Sequence, residues 1–221
     1  MSLITETPLA AAPRILILGA TGPTGRYIVG QAVSRGYDVT VLVRSPEQAA
    51  NMKGAKVVVG DARDEKALHQ AVKGRDAVIS ALGTPASPFR EVTLLSTATR
   101  ALTAAMKAEG VSRLVTITGI GAGDSAGHGG FFVDNIIFPL ILRRVYADKN
   151  RQEAIIKDSG LDWTIVRPSI LNNKPARDAV QTLTDLSDFH GGTISRENVA
   201  KFVVDQVTDI AWLRKAPSIT W

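Results

Sequence analysis

Arg14-Ile15-Leu16-Ile17-Leu18, running straight into Gly19-Ala20-Thr21-Gly22-Pro23-Thr24-Gly25, is the stretch that decides the fold. The first five residues are almost continuously apolar and rich in β-branched side chains. That pattern predicts a strand buried on both faces, as in a parallel sheet. The glycines then predict a sharp turn, and a helix is expected over residues 24–35. Glycine meets three demands in such a turn: the chain reverses tightly, the backbone comes close to a pyrophosphate, and the helix packs on the strand. The helix N-terminus adds free N–H groups and the positive end of its dipole. The spacing is G-x-x-G-x-x-G rather than G-x-G-x-x-G, and a plain tight turn could use the same residues. With a strand before it and a helix after it, the motif points to dinucleotide binding through Gly19, Thr21, Gly22, Pro23, Thr24 and Gly25.

Further apolar runs recur down the chain at residues 38–43, 56–59, 77–80, 113–118 and 162–166. Amphipathic stretches separate them. The clearest covers residues 89–109, where Val92, Leu95, Ala98, Leu102 and Ala105 share a helical face and Gly110 supplies a stop. Strands alternating with helices at this spacing predict an α/β fold with a doubly wound, mainly parallel sheet. Another helix is expected over residues 197–208, opened by Ser195 and Asn198, and a last strand over residues 217–220.

Composition narrows the chemistry. The chain has 221 residues with 26 Lys and Arg against 21 Asp and Glu, three His and no Cys. At roughly 150 residues per domain this is one large domain, or one with a small lobe. The absence of Cys excludes disulfides, thiolate nucleophiles and Cys-ligated metal centres, and three scattered His give a zinc site little to build on, so no metal is expected. The pI near 9.6 rests on a dispersed excess whose densest pair is Arg143-Arg144, and no nucleic-acid partner is expected. The most apolar stretch, residues 131–142, is broken by Asp134 and Asn135 and falls short of the ~20 residues of a membrane span. Residues 1–13 read as a flexible leader rather than a signal peptide, which makes the cytoplasm the expected compartment.

The tip of the second strand bears on which dinucleotide is taken. An NAD site ordinarily carries an acid there for the ribose 2′-hydroxyl, but this chain has Arg44-Ser45-Pro46. A guanidinium suits a 2′-phosphate in charge and in its forked donors, and Ser45 adds a hydroxyl. NADP(H) is therefore expected over NAD(H), the alternative being a solvated arginine on a loop.

The pattern as a whole resembles the short-chain dehydrogenase/reductase superfamily, and within it the small atypical NAD(P)H-binding branch of biliverdin-reductase-B/flavin-reductase-like and NmrA-like proteins. The resemblance spans residues 14–221. It rests on the glycine turn, Asp61-Ala62, Ala81-Leu82-Gly83, Thr116-Ile117-Thr118-Gly119, the run from Ser159 to Pro168 and that from Thr193 to Ala200. It implies a single Rossmann-type domain, with residues 171–195 as a small lobe over the nicotinamide end. It also implies that Asp61 accepts from the adenine amino group beside Ala62, that Ala81 belongs to the cofactor site, that Leu82 and Gly83 line the ribose side, and that Thr118 stands near the nicotinamide. Pro168, Ser169 and Ile170 would close over that end. Read alone, Asp61 could equally cap the following helix.

Active members of the superfamily use Tyr-x-x-x-Lys, the Tyr as acid and base. Here Tyr146-Ala147-Asp148-Lys149 places the pair three residues apart. Lys149 keeps the family register, as a cofactor or substrate contact, and Tyr146 is one residue out of its slot. Tyr146 is thus a candidate proton donor or a half-buried packing residue. His128, in the glycine-rich loop 121–130, is a second candidate donor or a surface histidine. Reduction of a flavin, quinone or tetrapyrrole needs hydride alignment while water can supply the proton, so a displaced Tyr is tolerated there. An NADPH-dependent reductase of a small planar acceptor, monomeric or homodimeric, is the first expectation. A non-catalytic NADP(H) sensor of NmrA-like type is the second, and a sugar-nucleotide epimerase or dehydratase the third.

Overall fold

The apolar runs become β1 (Arg14–Leu18), β2 (Asp38–Val43), β3 (Ala55–Val59), β4 (Ala77–Ser80), β5 (Arg113–Ile117) and β6 (Asp162–Pro168). Four short strands follow: β7 (Ile170–Asn172), β8 (Gln181–Leu183), β9 (Thr193–Ser195) and β10 (Ser218–Thr220). The helices are α1 (Pro23–Ser34), α2 (Glu65–Val72), α3 (Leu94–Ala108), α4 (Arg143–Lys157) and α5 (Arg196–Asp205). The computed structural model describes residues 11–50, 52–86, 90–131, 133–189 and 191–221. The first ten positions of the predicted leader, and residue 89 at the predicted start of α3, lie outside the described residues.

Eight strands form one sheet in the order β3-β2-β1-β4-β5-β6-β10-β8, parallel except for β8, which runs antiparallel to β10. This is a Rossmann-type, doubly wound α/β fold. The strand order reverses between β1 and β4, and open α/β sheets take ligands in the crevice beyond the carboxyl ends of the strands at such a switch point. Alternate residues of β1 go to opposite faces. Ile15 and Ile17 pack with Ile28 of α1 and Val199 and Val203 of α5. Leu16 and Leu18 pack with Leu68 of α2, Leu102 and Met106 of α3 and Ile156 of α4.

Burial on both faces, expected of every run, fails at β3. It pairs only with β2 at the sheet's edge, and Val57 and Val59 are 43% and 52% exposed. A β-branched run reports strand geometry but not position in the sheet. Segment 171–195 sends β8 to the opposite edge and brings its two ends together as a parallel β7–β9 ribbon. The chain's last residue pins this region: Trp221 Nε1 donates to Asn198 Oδ1 at 3.0 Å, and the Arg177 guanidinium lies 4.0 Å from the Trp221 ring centre.

Two features position α4 against the crevice. Residues Val133–Leu142 wind as a π-helical stretch with Pro139 inside it and lead directly into α4; proline removes a donor, and wide turns accommodate the gap. The fully buried Asp148 of α4 then caps α3 from outside, its carboxylate accepting from the backbone N–H of Leu95 at 2.8 Å and from that of Ser96. Among the described residues no helix is long and apolar enough to cross a membrane.

Candidate functional site

The three glycines of the first turn meet three different requirements. Gly19 has φ +75°, and a Cβ there would fall 2.4 Å from the Ala81 carbonyl oxygen, so the tips of β1 and β4 abut at this point. A Cβ on Gly25 would fall 2.1 Å from the Gly19 carbonyl oxygen, which locks α1 onto the turn. Gly22 is different. It has φ −69°, and a Cβ there would meet only the Gly19 oxygen, at 3.3 Å. The fold constrains this position less than the other two, and a ligand backing onto the turn would constrain it further. Gly22 is also the N-cap of α1, no side chain caps the helix, and Pro23 stands in its first turn. The first turn thus keeps N–H groups and a positive dipole end for an anion, and the cradle fits a dinucleotide pyrophosphate.

Around the crevice the predicted residues occupy neighbouring strand tips. Gly60 N–H donates to the Val43 carbonyl at 2.8 Å, which sets Arg44, just past β2, beside Asp61, just past β3. Arg44 is exposed. Ser45 precedes a 3₁₀ turn, Pro46–Ala49, and its hydroxyl bonds to the Glu47 carboxylate. Asp61 is not the cap of α2. That place belongs to Asp64, which accepts from Lys66 N and Ala67 N. Asp61 instead grips Arg63, whose hydrogen bond to it holds its carboxyl down at about 2. Ala62 and Leu82 pack against the core, and Gly83 is exposed at the tip of β4.

At the other end, Thr118, Tyr146 and Lys149 come together around Gly119. A Cβ on Gly119 would lie 3.1 Å from both Lys149 Nζ and Tyr146 Oη. Lys149 Nζ donates to the Thr118 carbonyl at 2.6 Å and lies 4.5 Å from the Tyr146 ring centre, over the ring face. No hydrogen bond joins Lys149 to the Tyr146 hydroxyl among the described residues. Phe138 from the π-helical stretch packs on Tyr146 with centroids 4.1 Å apart. Burial, reinforced by Asp134, pushes the Tyr146 hydroxyl up to about 12. Burial also brings the Lys149 ammonium down to about 8, against the opposing pull of Glu153. Pro168 ends β6, its carbonyl accepting from Ile120 N at 3.0 Å. The Ser169 hydroxyl is buried and turned to Thr220 Oγ1 at 3.0 Å, whereas Ile170 is half exposed.

His128 is not part of this group. Its Nδ1 lies 3.3 Å from the Phe189 carbonyl oxygen, and it lines a cavity of about 380 Å³ with Asp124, Arg167, Asp185, Lys215 and Ser218.

Beneath Thr118 lies a buried ionic network that the motif reading did not assemble. Thr118 Oγ1 donates to Glu153 Oε1 at 2.8 Å. Glu153, 1% exposed, holds Arg167, 2% exposed, by a fork with Nε at 3.0 Å and Nη2 at 2.5 Å, and Arg167 also reaches Asp124. One signal was available: an arginine between Val166 and Pro168, inside an apolar strand, needs a buried partner.

Comparison with known proteins agrees with this geometry. The family described as NAD(P)H-binding matches residues 19–210. The uncharacterized sugar epimerase YhfK of Bacillus subtilis is 30% identical over 198 residues, 86% of each chain. A (4-alkanoyl-5-oxo-2,5-dihydrofuran-3-yl)methyl phosphate reductase of Streptomyces griseus is 32% identical over 70% of this chain and 46% of its own length. Among solved structures, the anaerobilin reductase ChuY of Escherichia coli O157:H7 superposes with a TM-score of 0.80 at 22% identity, over 94% of this chain and 96% of its own. A short-chain dehydrogenase/reductase of Veillonella parvula in complex with NADP gives 0.78 at 18% identity, over 95% and 94%. At these identities the structural likenesses speak for the fold. The glycine cradle, the switch-point crevice and the family match together show that this chain belongs to the NAD(P)H-binding family.

Proposed function

We propose that the chain is an NADPH-dependent reductase of a small, planar, conjugated acceptor. The observation that carries this reading is the state of the Tyr–Lys pair. Lys149 spends its ammonium on the Thr118 carbonyl and the face of the Tyr146 ring, while the half-buried Tyr146 is pushed up to about 12. A phenol held that way is a poor proton donor near neutral pH. Acceptors such as flavins, quinones and tetrapyrroles do not need one, because charge arriving on a conjugated system is delocalised and water can protonate it.

A bound NADPH would supply the hydride, water the proton, and the protein binding and orientation. Gly22 and the start of α1 hold the pyrophosphate. Arg44 and Ser45 receive the 2′-phosphate, and Asp61 and Ala62 receive the adenine. Ala81, Leu82 and Gly83 flank the ribose. Thr118, Lys149 and the backbone at Pro168, Ser169 and Ile170 fix the nicotinamide end. The name of the Streptomyces griseus relative, a reductase, supports the reaction class.

The test is NADPH oxidation against a panel of flavins, quinones and tetrapyrroles, with wild type and Tyr146→Phe. Turnover that survives the substitution within about threefold is expected. Tight NADPH binding with no turnover across the panel would favour a cofactor sensor instead. A loss of a hundredfold or more in Tyr146→Phe would restore the tyrosine acid.

A further inference from the structure

The hydrogen bonds around Asp61 leave an arginine unexplained by the fold. Asp61 Oδ1 accepts from the backbone N–H of Arg63 at 2.8 Å and from its Nε at 2.9 Å, and Oδ2 accepts from Nη2 at 2.7 Å. Helix α2 does not need this pair, since Asp64 caps it. Nor is core packing involved, because the Arg63 side chain is 55% exposed. An exposed ion pair of this kind contributes little to stability. What it does is fix a long, flexible side chain in one orientation, at the strand tip beside Arg44.

We infer that Arg63 is the second arginine of a clamp for the cofactor's 2′-phosphate, held in place by Asp61 and facing Arg44. The inference rests on the NADPH reading above. The β2–β3 pairing and the Gly60 N–H bond to the Val43 carbonyl, at 2.8 Å, bring Arg44 and Asp61 to adjacent strand tips. Arg63 follows Asp61 by two residues, so both guanidiniums belong to the same corner of the crevice. A guanidinium carries five N–H donors. Asp61 takes two of them on Arg63, which leaves three for a ligand. Among the described residues Arg44 makes no ion pair and contributes its whole fork.

Charge fits as well. Asp61 and Arg63 neutralise each other, so a phosphate dianion entering the corner meets a neutral pair and the free cation of Arg44. Without Arg63, the carboxylate of Asp61 would repel it. Arg63 also holds the Asp61 carboxyl at about 2, and the pair stays ionic over the whole working pH range. Asp61 keeps an acceptor position open: a carboxylate offers about four lone-pair sites and Arg63 fills three. The remaining one can take an adenine amino N–H, so the adenine role and the clamp are compatible.

The experiment measures the binding of adenosine 2′,5′-bisphosphate and of 5′-AMP by calorimetry, at one fixed ionic strength, to wild type, Arg63→Gln, Arg44→Gln and Asp61→Asn. Both arginines are exposed, and circular dichroism checks that the variants fold. Wild type should prefer the 2′-phosphorylated ligand. Arg63→Gln should weaken that ligand by roughly tenfold, the low end for a charge-assisted hydrogen bond, and change 5′-AMP by less than about twofold. Asp61→Asn should weaken the bisphosphate severalfold, because Arg63 loses its anchor; a gain would overturn the positioning role. Equal wild-type affinities would overturn the NADPH reading itself. A wild-type preference left intact in Arg63→Gln would overturn the Arg63 assignment alone. An equal loss for both ligands would mean that Arg63 stacks on adenine, and would overturn it too.

Discussion

Glu153 and Arg167 offer a direct test of how the proposed nicotinamide end is held. Both side chains are almost wholly buried, at 1% and 2% exposure, and they meet through a two-point fork. Arg167 has one other carboxylate, Asp124, whose side chain is 76% exposed and screened by solvent. Removing one member of a buried pair costs about 3–5 kcal/mol, since the survivor keeps its desolvation penalty. Glu153→Leu should fall at the lower end, about 3 kcal/mol, because Asp124 still neutralises Arg167 in part. With a urea m-value of roughly 3 kcal/mol per molar for a domain of this size, that is a midpoint shift of about 1 M. Replacing both, Glu153→Leu with Arg167→Met, leaves neither member of the fork orphaned and should recover most of the loss, the remainder being the Glu153 charge that Lys149 and Lys157 no longer face. The measurement is a double-mutant cycle by urea unfolding. The double variant separates architecture from function, because the Thr118 hydroxyl loses its acceptor even where stability returns. Nicotinamide-end binding should therefore weaken in a protein that unfolds normally. Single variants that each cost under 1 kcal/mol and combine additively would refute the reasoning, and the network would then be a solvated ion pair.

Gly22→Ala should raise the NADPH dissociation constant by at least about tenfold while leaving the melting temperature nearly unchanged. The new methyl group meets only the Gly19 oxygen, at 3.3 Å, but stands where the pyrophosphate must approach; a large loss of stability with intact binding would contradict this division of labour. Lys149 carries a pH prediction with two opposite slopes. Its ammonium titrates near 8 in the folded chain, against an ordinary 10.5. Dinucleotide affinity should fall as pH rises through about 8, because the cation at the nicotinamide end is lost. Fold stability should rise between about 8 and 10.5, where the unfolded chain still binds the proton that the folded chain has released. Lys149→Met should flatten both profiles, and a slope in either that persists in that variant would assign it to another group.

The glycine turn and the strands that carry it were legible in the sequence because their constraints are local. Gly19, Gly22 and Gly25 answer to backbone requirements within seven consecutive residues, and the bounds of β1, β2 and β4 coincide with the apolar runs because both faces of those strands are covered. Where a requirement is met from far along the chain, the reading stops. Helix α3 begins at Leu94, later than its apolar periodicity implied, and its N-terminal N–H groups are satisfied by Asp148 on α4, which no local capping signal announces. The group around Gly119 behaves the same way. Tyr146 and Lys149, three apart on one helix, could by spacing alone have formed a hydroxyl–ammonium contact. Two neighbours from elsewhere decide otherwise: Phe138 holds the Tyr146 ring, and the Thr118 carbonyl takes the Lys149 ammonium. The proton chemistry of this site is therefore set by how the π-helical stretch and the end of β5 pack against α4. Substitutions at Phe138 should change it as effectively as substitutions at the tyrosine itself.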